Sequence, residues 1–144
     1  MDKRDDSQPI ACACTRVRRL DRALTHLYDD ALAPSGLHVT QYALLSKLAA
    51  LGRVTLTRMA DELAVERTTL TRNLAPLQRD GLVLVEPGSD RRTRYVDLTD
   101  AGRAALEQAR PLWRAAQARV AVGLGRERFD ALLNELADVE ALIR

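Results

Sequence analysis

At 144 residues the chain has the size of one ordinary domain, long enough to bury a core without disulfide or metal staples. Apolar residues make up 47% and charged residues 29%, a soluble composition, and the 3% aromatic content leaves the core to aliphatic side chains, which favours packed helices over a β-sandwich. The formal net charge of +2 excludes a uniformly basic molecule, so any attraction for an acidic partner must be local.

The charged start Met1-Asp2-Lys3-Arg4-Asp5-Asp6 has no apolar segment after it, and no apolar run approaches the length of a membrane span. A cytoplasmic protein with no membrane partner is expected. Residues 1–9 read as a disordered tail, and residues 10–144 as one domain in three parts, 10–52, 53–99 and 100–144. In the first part, Ile10, Val17, Leu20, Leu24, Leu27, Tyr28, Ala31 and Leu32 recur at helical spacing, and Pro34-Ser35-Gly36 stops that helix. Thr40 is the expected N-cap of a second helix reaching Leu51, ended by Gly52.

The middle part begins with a very short strand at Val54-Thr55-Leu56. Thr57 is the expected cap of a helix through Leu63, and Ala64-Val65-Glu66 forms a tight turn. A further helix starts near Arg67 and ends by Gly81. Leu82–Glu86 and Thr93–Leu98 then read as two strands around a polar loop, Pro87–Arg92. Helix, turn, helix and β-hairpin in this order define a mainly α fold with a small β-hairpin wing: a winged helix-turn-helix. In the last part, Thr99 or Asp100 caps a long helix from Ala101 to Val122, through Pro111, and Gly123-Leu124-Gly125 breaks the chain. The final helix carries Phe129, Leu132, Leu133, Leu136, Val139, Leu142 and Ile143 on one stripe. The middle part already looks self-contained, so these outer helices favour a homodimer over a monomeric bundle.

The charge pattern locates the business end. Glu66 to Arg79 holds three Arg against one Glu, and Ser89 to Arg94 holds three Arg against one Asp. In the second helix of the pair, Leu70, Leu74 and Leu77 point inward, whereas Arg67, Thr68, Thr71 and Arg72 fall outward. Short hydroxyls and long donors near a helix N-terminus suit phosphates and base edges in the major groove. At the hairpin, Arg91, Arg92 and Arg94 suit a minor groove, and Asp90 stands where a bidentate pair would orient an Arg. A solvated helix face and a solvated turn are the bland alternatives. Pro76, inside the recognition helix, removes a backbone donor and costs about 3 kcal/mol in a regular helix; a kink or loosened turn is expected there.

These residues carry a resemblance. Asp90-x-Arg92, five residues, then Leu98-Thr99 matches the Asp-x-Arg-x5-Leu-Thr wing signature of the MarR family of bacterial regulators, and Asp100-Ala101-Gly102 continues in its usual way. Leu70-Thr71-Arg72 with Leu77 and Gly81-Leu82-Val83 resembles the recognition helix and its exit. Val39-Thr40-Gln41-Tyr42 with Leu44-Leu45 resembles the start of the second helix. The resemblance runs from about residue 10 to the end. It implies a homodimer built by the first, fifth and sixth helices, reading a pseudo-palindromic operator. It implies Arg92 in the minor groove with Asp90 as its orienting partner, and Thr68, Thr69 and Arg72 in the major groove. It further implies a repressor released by a small ligand or by cysteine oxidation.

Two switches are open. Cys12 and Cys14 lie near the start of the first helix, with Cys14 14 residues before Tyr28 and 27 before Gln41, a register similar to the family's peroxide sensors. In those sensors tyrosines bond the reactive thiol. Tyr28 stands in one such place, while Arg18 replaces another tyrosine and is itself a group that lowers a thiol pKa. The alternative for either cysteine is a small residue packed in an interface. A ligand pocket lined by His38, Tyr42 and Trp113, with His26 nearby, is the other option. No catalytic, cofactor or metal constellation is apparent, so an enzyme is not expected. The remaining rival is a winged-helix protein-interaction adaptor without specific DNA binding.

Overall fold

The structure is a computed structural model describing residues 11–90 and 92–144; the expected tail at 1–9, Ile10 and Arg91 lie outside the described residues. Helix α1, Ala13–Leu32, is followed by a 3-10 turn, Ala33–Ser35, opened by Pro34. Gly36 then takes φ 76°, a left-handed position that suits glycine, and the Ser35 hydroxyl donates to the Leu32 carbonyl at 2.6 Å. The expected stop is thus built from the three residues that signalled it.

Helix α2, Val39–Leu51, starts earlier than expected, with His38 rather than Thr40 at the N-cap. Two acceptors satisfy its first free amides. Gln41 Oε1 takes the His38 N–H at 3.0 Å, and Asp29 Oδ1, from α1, takes the Val39 N–H at 2.7 Å. A cap supplied from ten residues away leaves no local signal. Strand β1, Val54–Thr55, leads into α3, Leu56–Leu63, where Thr55, not Thr57, caps by accepting the Arg58 N–H at 3.1 Å. Starting the helix at Leu56 puts the buried Leu56, Met59 and Ala60 on one inward stripe, which decides the register.

Ala64, at φ 54°, turns the chain into α4, Arg67–Arg79. Leu70, Leu74 and Leu77 are buried as their spacing predicts. The helix continues through Pro76 to Arg79, and the Asp80 N–H closes its last turn on the Pro76 carbonyl at 3.0 Å. Strands β2, Val83–Pro87, and β3, Arg94–Leu98, form the antiparallel wing. The short β1 joins the other edge of β3, with Val54 opposite Val96, giving the order β1-β3-β2. The wing is therefore the outer part of a three-stranded sheet rather than a free hairpin.

Helix α5, Asp100–Leu124, begins at a lock. The Thr99 hydroxyl accepts the Gly102 N–H at 3.0 Å and donates to the Gly81 carbonyl at 2.6 Å, and the Thr99 N–H reaches the Leu82 carbonyl at 3.2 Å. A Cβ on Gly102 would lie 2.0 Å from that same Leu82 oxygen, so only glycine lets α5 start there. The Leu-Thr end of the wing signature thus joins the exit of α4, the base of the wing and the start of α5. Helix α5 passes through Pro111, and Gly125, at φ 93°, separates it from α6, Arg126–Ile143.

One aliphatic cluster holds these elements together, with Leu32, Leu45, Leu48, Met59, Leu70, Leu77, Val96 and Leu106 closed to solvent. Full burial of each such side chain is worth about 1.5–3 kcal/mol. The arms are different. On α6 only Phe129 is buried, while Leu133, Leu136, Val139, Leu142 and Ile143 are exposed, as are Val17 and Leu20 on α1 and Val122 on α5. Among the described residues no helix is long and apolar enough to cross a membrane.

Candidate nucleic-acid interface

Burying Leu70, Leu74 and Leu77 forces the opposite face of α4 outward. Arg67, Thr68, Thr71 and Arg72 share one open surface there, with Thr69 half-buried beside it. Thr71 Oγ1 donates to the Arg67 carbonyl at 2.9 Å, which leaves its lone pairs free to accept. Arg94 extends this surface. On β3 it shares the inward face with Val96 and Leu98, and it meets Arg67, Thr71, Leu74, Gln78, Val85 and Leu56 around a cleft of about 300 Å³. The recognition helix and the wing therefore adjoin across a groove with arginine on both sides.

The wing tip is closed by its own backbone. The Gly88 N–H donates to the Thr93 carbonyl at 2.8 Å, and the Thr93 N–H donates to the Asp90 carbonyl at 3.1 Å. Asp90 Oδ1 accepts the Arg92 backbone N–H at 3.1 Å. Its carboxylate thus shapes the turn that carries Arg92. Arg92 is exposed at the tip.

Two residues that the sequence pattern does not single out meet on the sheet, Tyr95 of the wing and Arg53 just before β1. The Arg53 guanidinium carbon lies 4.1 Å from the centroid of the Tyr95 ring, and Arg53 Nη2 lies 4.0 Å from Glu86 Oε2. The signal was available only through pairing, because Tyr95 faces Glu86 on one side and Thr55 on the other.

The switch residues are dispersed. Cys12 occupies the N-cap position of α1 and Cys14 its first turn, and both are free and exposed. The Thr15 side chain, then the backbone at Thr15 and Cys14, favours the thiolate of the exposed Cys12 and lowers its pKa. Tyr28 is four turns away from Cys14, about 21 Å along the axis. Its hydroxyl donates to Gln117 Oε1 on α5, so within one chain it does not reach the thiols. Burial raises the Tyr28 and Tyr42 phenols.

Tyr42 and Trp113 stack with ring centroids 5.5 Å apart and planes at 16°. They line a shallow cleft of about 360 Å³ between α2, the end of α3 and α5, with Lys47 at its edge bound to Glu62 at 3.2 Å. His38 faces elsewhere, with Nδ1 3.4 Å from Asp29 Oδ2, and His26 is exposed beside Asp30 at 3.6 Å. Two of the three proposed pocket residues therefore meet, and His38 does not join them.

Fold and surface together define a winged helix-turn-helix protein with a cationic reading face and long helical arms. The sequence profile of the MarR family matches residues 37–93. The M. tuberculosis transcriptional regulator MosR, solved in complex with DNA, is 46% identical, with a TM-score of 0.77 over 90% of this chain and 98% of that one. CouR, a transcriptional repressor solved on a 23-mer DNA duplex, is 30% identical, with a TM-score of 0.82 over 90% of this chain and 92% of that one. MarR from E. coli, complexed with operator DNA, is similar in fold, with a TM-score of 0.79 at 23% identity over 88% and 91% of the two chains. Comparison with curated proteins gives no match. The chain belongs to the MarR family.

Proposed function

We propose that this chain is a cytoplasmic, sequence-specific regulator of transcription that binds double-stranded DNA as a homodimer and carries no enzymatic activity. Residues 53–99 form the DNA-binding lobe, 10–52 hold the first and second helices, and 100–144 the dimerisation helices, with α1, α5 and α6 making the dimer interface. One observation carries the reading: Arg67, Thr68, Thr71 and Arg72 share one open face of α4, and Arg67 and Thr71 on that face also line the cleft whose other wall carries Arg94 of the wing. A helix with that face enters a major groove, and the adjoining tip brings Arg92 toward the neighbouring minor groove, where the sequence neighbour Arg91 is assigned as a second contact. Thr69 stands at the edge of the helix contact. The exposed apolar rows of α1 and α6 fit a second copy of the chain.

Relatives of this chain have been solved on DNA, and CouR is described as a repressor. Repression, with release by a ligand in the Tyr42–Trp113 cleft or by oxidation of Cys12 or Cys14, is the regulatory form we assign. The test is a titration of labelled random-sequence duplex at several salt concentrations. A steep fall of affinity with salt is expected, because each neutralised phosphate releases counterions. Absence of binding at low salt would leave the protein-interaction adaptor as the better reading.

A further inference from the structure

An arginine that enters a groove must be carried at a fixed height and angle. The loop that carries Arg92 is internally closed, by the Gly88–Thr93 bond at 2.8 Å, the Thr93–Asp90 bond at 3.1 Å and the Asp90 carboxylate on the Arg92 amide. These bonds tie the described residues of the loop to one another, and the loop joins the sheet where it leaves β2 and enters β3. Tyr95 sits at that boundary. It lies opposite Glu86 on β2 and Thr55 on β1, on the face of β3 away from the buried Val96 and Leu98.

The Tyr95 ring is held from two directions. At Gly88 the hairpin has no side chain, and a Cβ there would lie 2.8 Å from Tyr95 Cε2, so the ring edge rests against bare backbone at the root of the loop. Over the ring lies the Arg53 guanidinium, 4.1 Å from the centroid. Arg53 immediately precedes β1 and is steered by Glu86 on β2. The contacts run from the β1 edge, across β3, to the first residue of the loop.

We propose that Arg53, Tyr95 and Gly88 brace the wing tip, and that Tyr95 is a positioning residue acting through Arg92. The inference rests on the DNA-reading role of the wing given above. Tyr95 itself stays on the sheet and makes its contribution by restricting the angle at which Arg92 meets DNA. A cation–π contact at an exposed site changes an equilibrium about two- to fivefold, and that is the loss of affinity expected when the ring face is removed.

The test is a double-mutant cycle on the full chain, read by fluorescence anisotropy with a duplex that the wild-type protein selects from a random-sequence pool. Tyr95→Leu keeps apolar bulk and removes the ring face. It is expected to weaken binding about two- to fivefold, while Tyr95→Phe restores wild-type affinity. In the Arg92→Ala background, Tyr95→Leu is expected to add nothing. Thermal unfolding of each variant checks the fold, and if Tyr95→Leu does not fold, Arg53→Met goes through the same cycle. Wild-type affinity of Tyr95→Leu, or an equal loss in both backgrounds, overturns the brace. If Arg92→Ala alone leaves affinity unchanged, the wing reading falls and the brace falls with it.

Discussion

Gly102 is the position where the smallest change in the chain has the largest expected effect. Replacing it with alanine places a Cβ 2.0 Å from the Leu82 carbonyl oxygen, 3.0 Å from the Leu82 carbonyl carbon and 2.8 Å from Leu98 Cδ1. The leucine methyl can rotate away, but the Leu82 carbonyl is backbone. Restoring ordinary contact requires α5 and the root of β2 to part by more than 1 Å, on the order of the mismatch itself. That movement pulls apart the bonds made by Thr99. Loss of the cap on the Gly102 N–H costs about 1 kcal/mol, and loss of the Thr99–Leu82 backbone bond about 0.5–1.5 kcal/mol. Overpacking adds about 1–3 kcal/mol. The expected destabilisation is about 3–5 kcal/mol, a large part of a domain's total stability. The control is Gly123→Ala, also within α5 but with open space around its Cβ, which should stabilise by up to about 1 kcal/mol through helix propensity alone. Urea unfolding followed by circular dichroism, at equal protein concentrations so that dimer linkage is held constant, measures both. A Gly102→Ala protein as stable as wild type would refute the close approach and the lock built on it.

Arg92→Ala is expected to weaken DNA binding by about 1–3 kcal/mol while leaving the sedimentation coefficient of the free protein unchanged; a mobility shift at wild-type strength would remove Arg92 from the interface. Leu136→Glu, on the exposed row of α6, is expected to shift the protein toward monomer in analytical ultracentrifugation, and a fully dimeric variant would show that α6 is not covered by a second copy. For Cys12, hydrogen bonds that favour the thiolate lower its pKa, so removing the first of them must raise it. In a Cys14→Ser background, the pH midpoint of iodoacetamide alkylation should move upward on Thr15→Val, and an unmoved midpoint would dismiss the hydroxyl as the cause. Cumene hydroperoxide should change DNA affinity in the wild type but not in a Cys12→Ser, Cys14→Ser double variant; an equal change in both would take the cysteines out of the switch.

What was legible in the chain was whatever depends on residues close in sequence. Leu70, Leu74 and Leu77 are four and three apart, so their burial and the exposure of Arg67, Thr68, Thr71 and Arg72 follow from helical period alone. Gly36, Gly52, Gly81 and Gly125 all adopt positive φ at the breaks where they were read as stops. Illegible features depend on distant partners. The start of α2 is set by Asp29 on α1, and the partner of β1 is β3, some forty residues on. Thr55 displaced Thr57 as a cap because burying Leu56, Met59 and Ala60 together outweighs the choice between two threonines. The two candidate switches run against that pattern. Tyr42 and Trp113, from different helices, do come together, whereas Cys14 and Tyr28, on one helix, are kept apart by its rise.

The lock at Thr99 also constrains how any signal in the arms reaches DNA. Because Thr99 bonds Gly81, Leu82 and Gly102 at once, the exit of α4, the wing and the first turn of α5 form one body. A signal from the arms would therefore reach the exit of α4 and the wing together, through the first turn of α5. Leu106 and Ala109 belong to the buried cluster of the reading head, so the free arm of α5 runs from about Trp113 to Leu124, about 17 Å of axis, and a rotation of about 5° carries its end about 1.5 Å relative to the head. A base-edge hydrogen bond is lost over a smaller distance than that. In a dimer reading two half-sites, the same rotation in each subunit would change the spacing of the heads. An effector acting this way would need only to bias the angle of α5, and its differential affinity for two arm angles would set how much DNA affinity it removes.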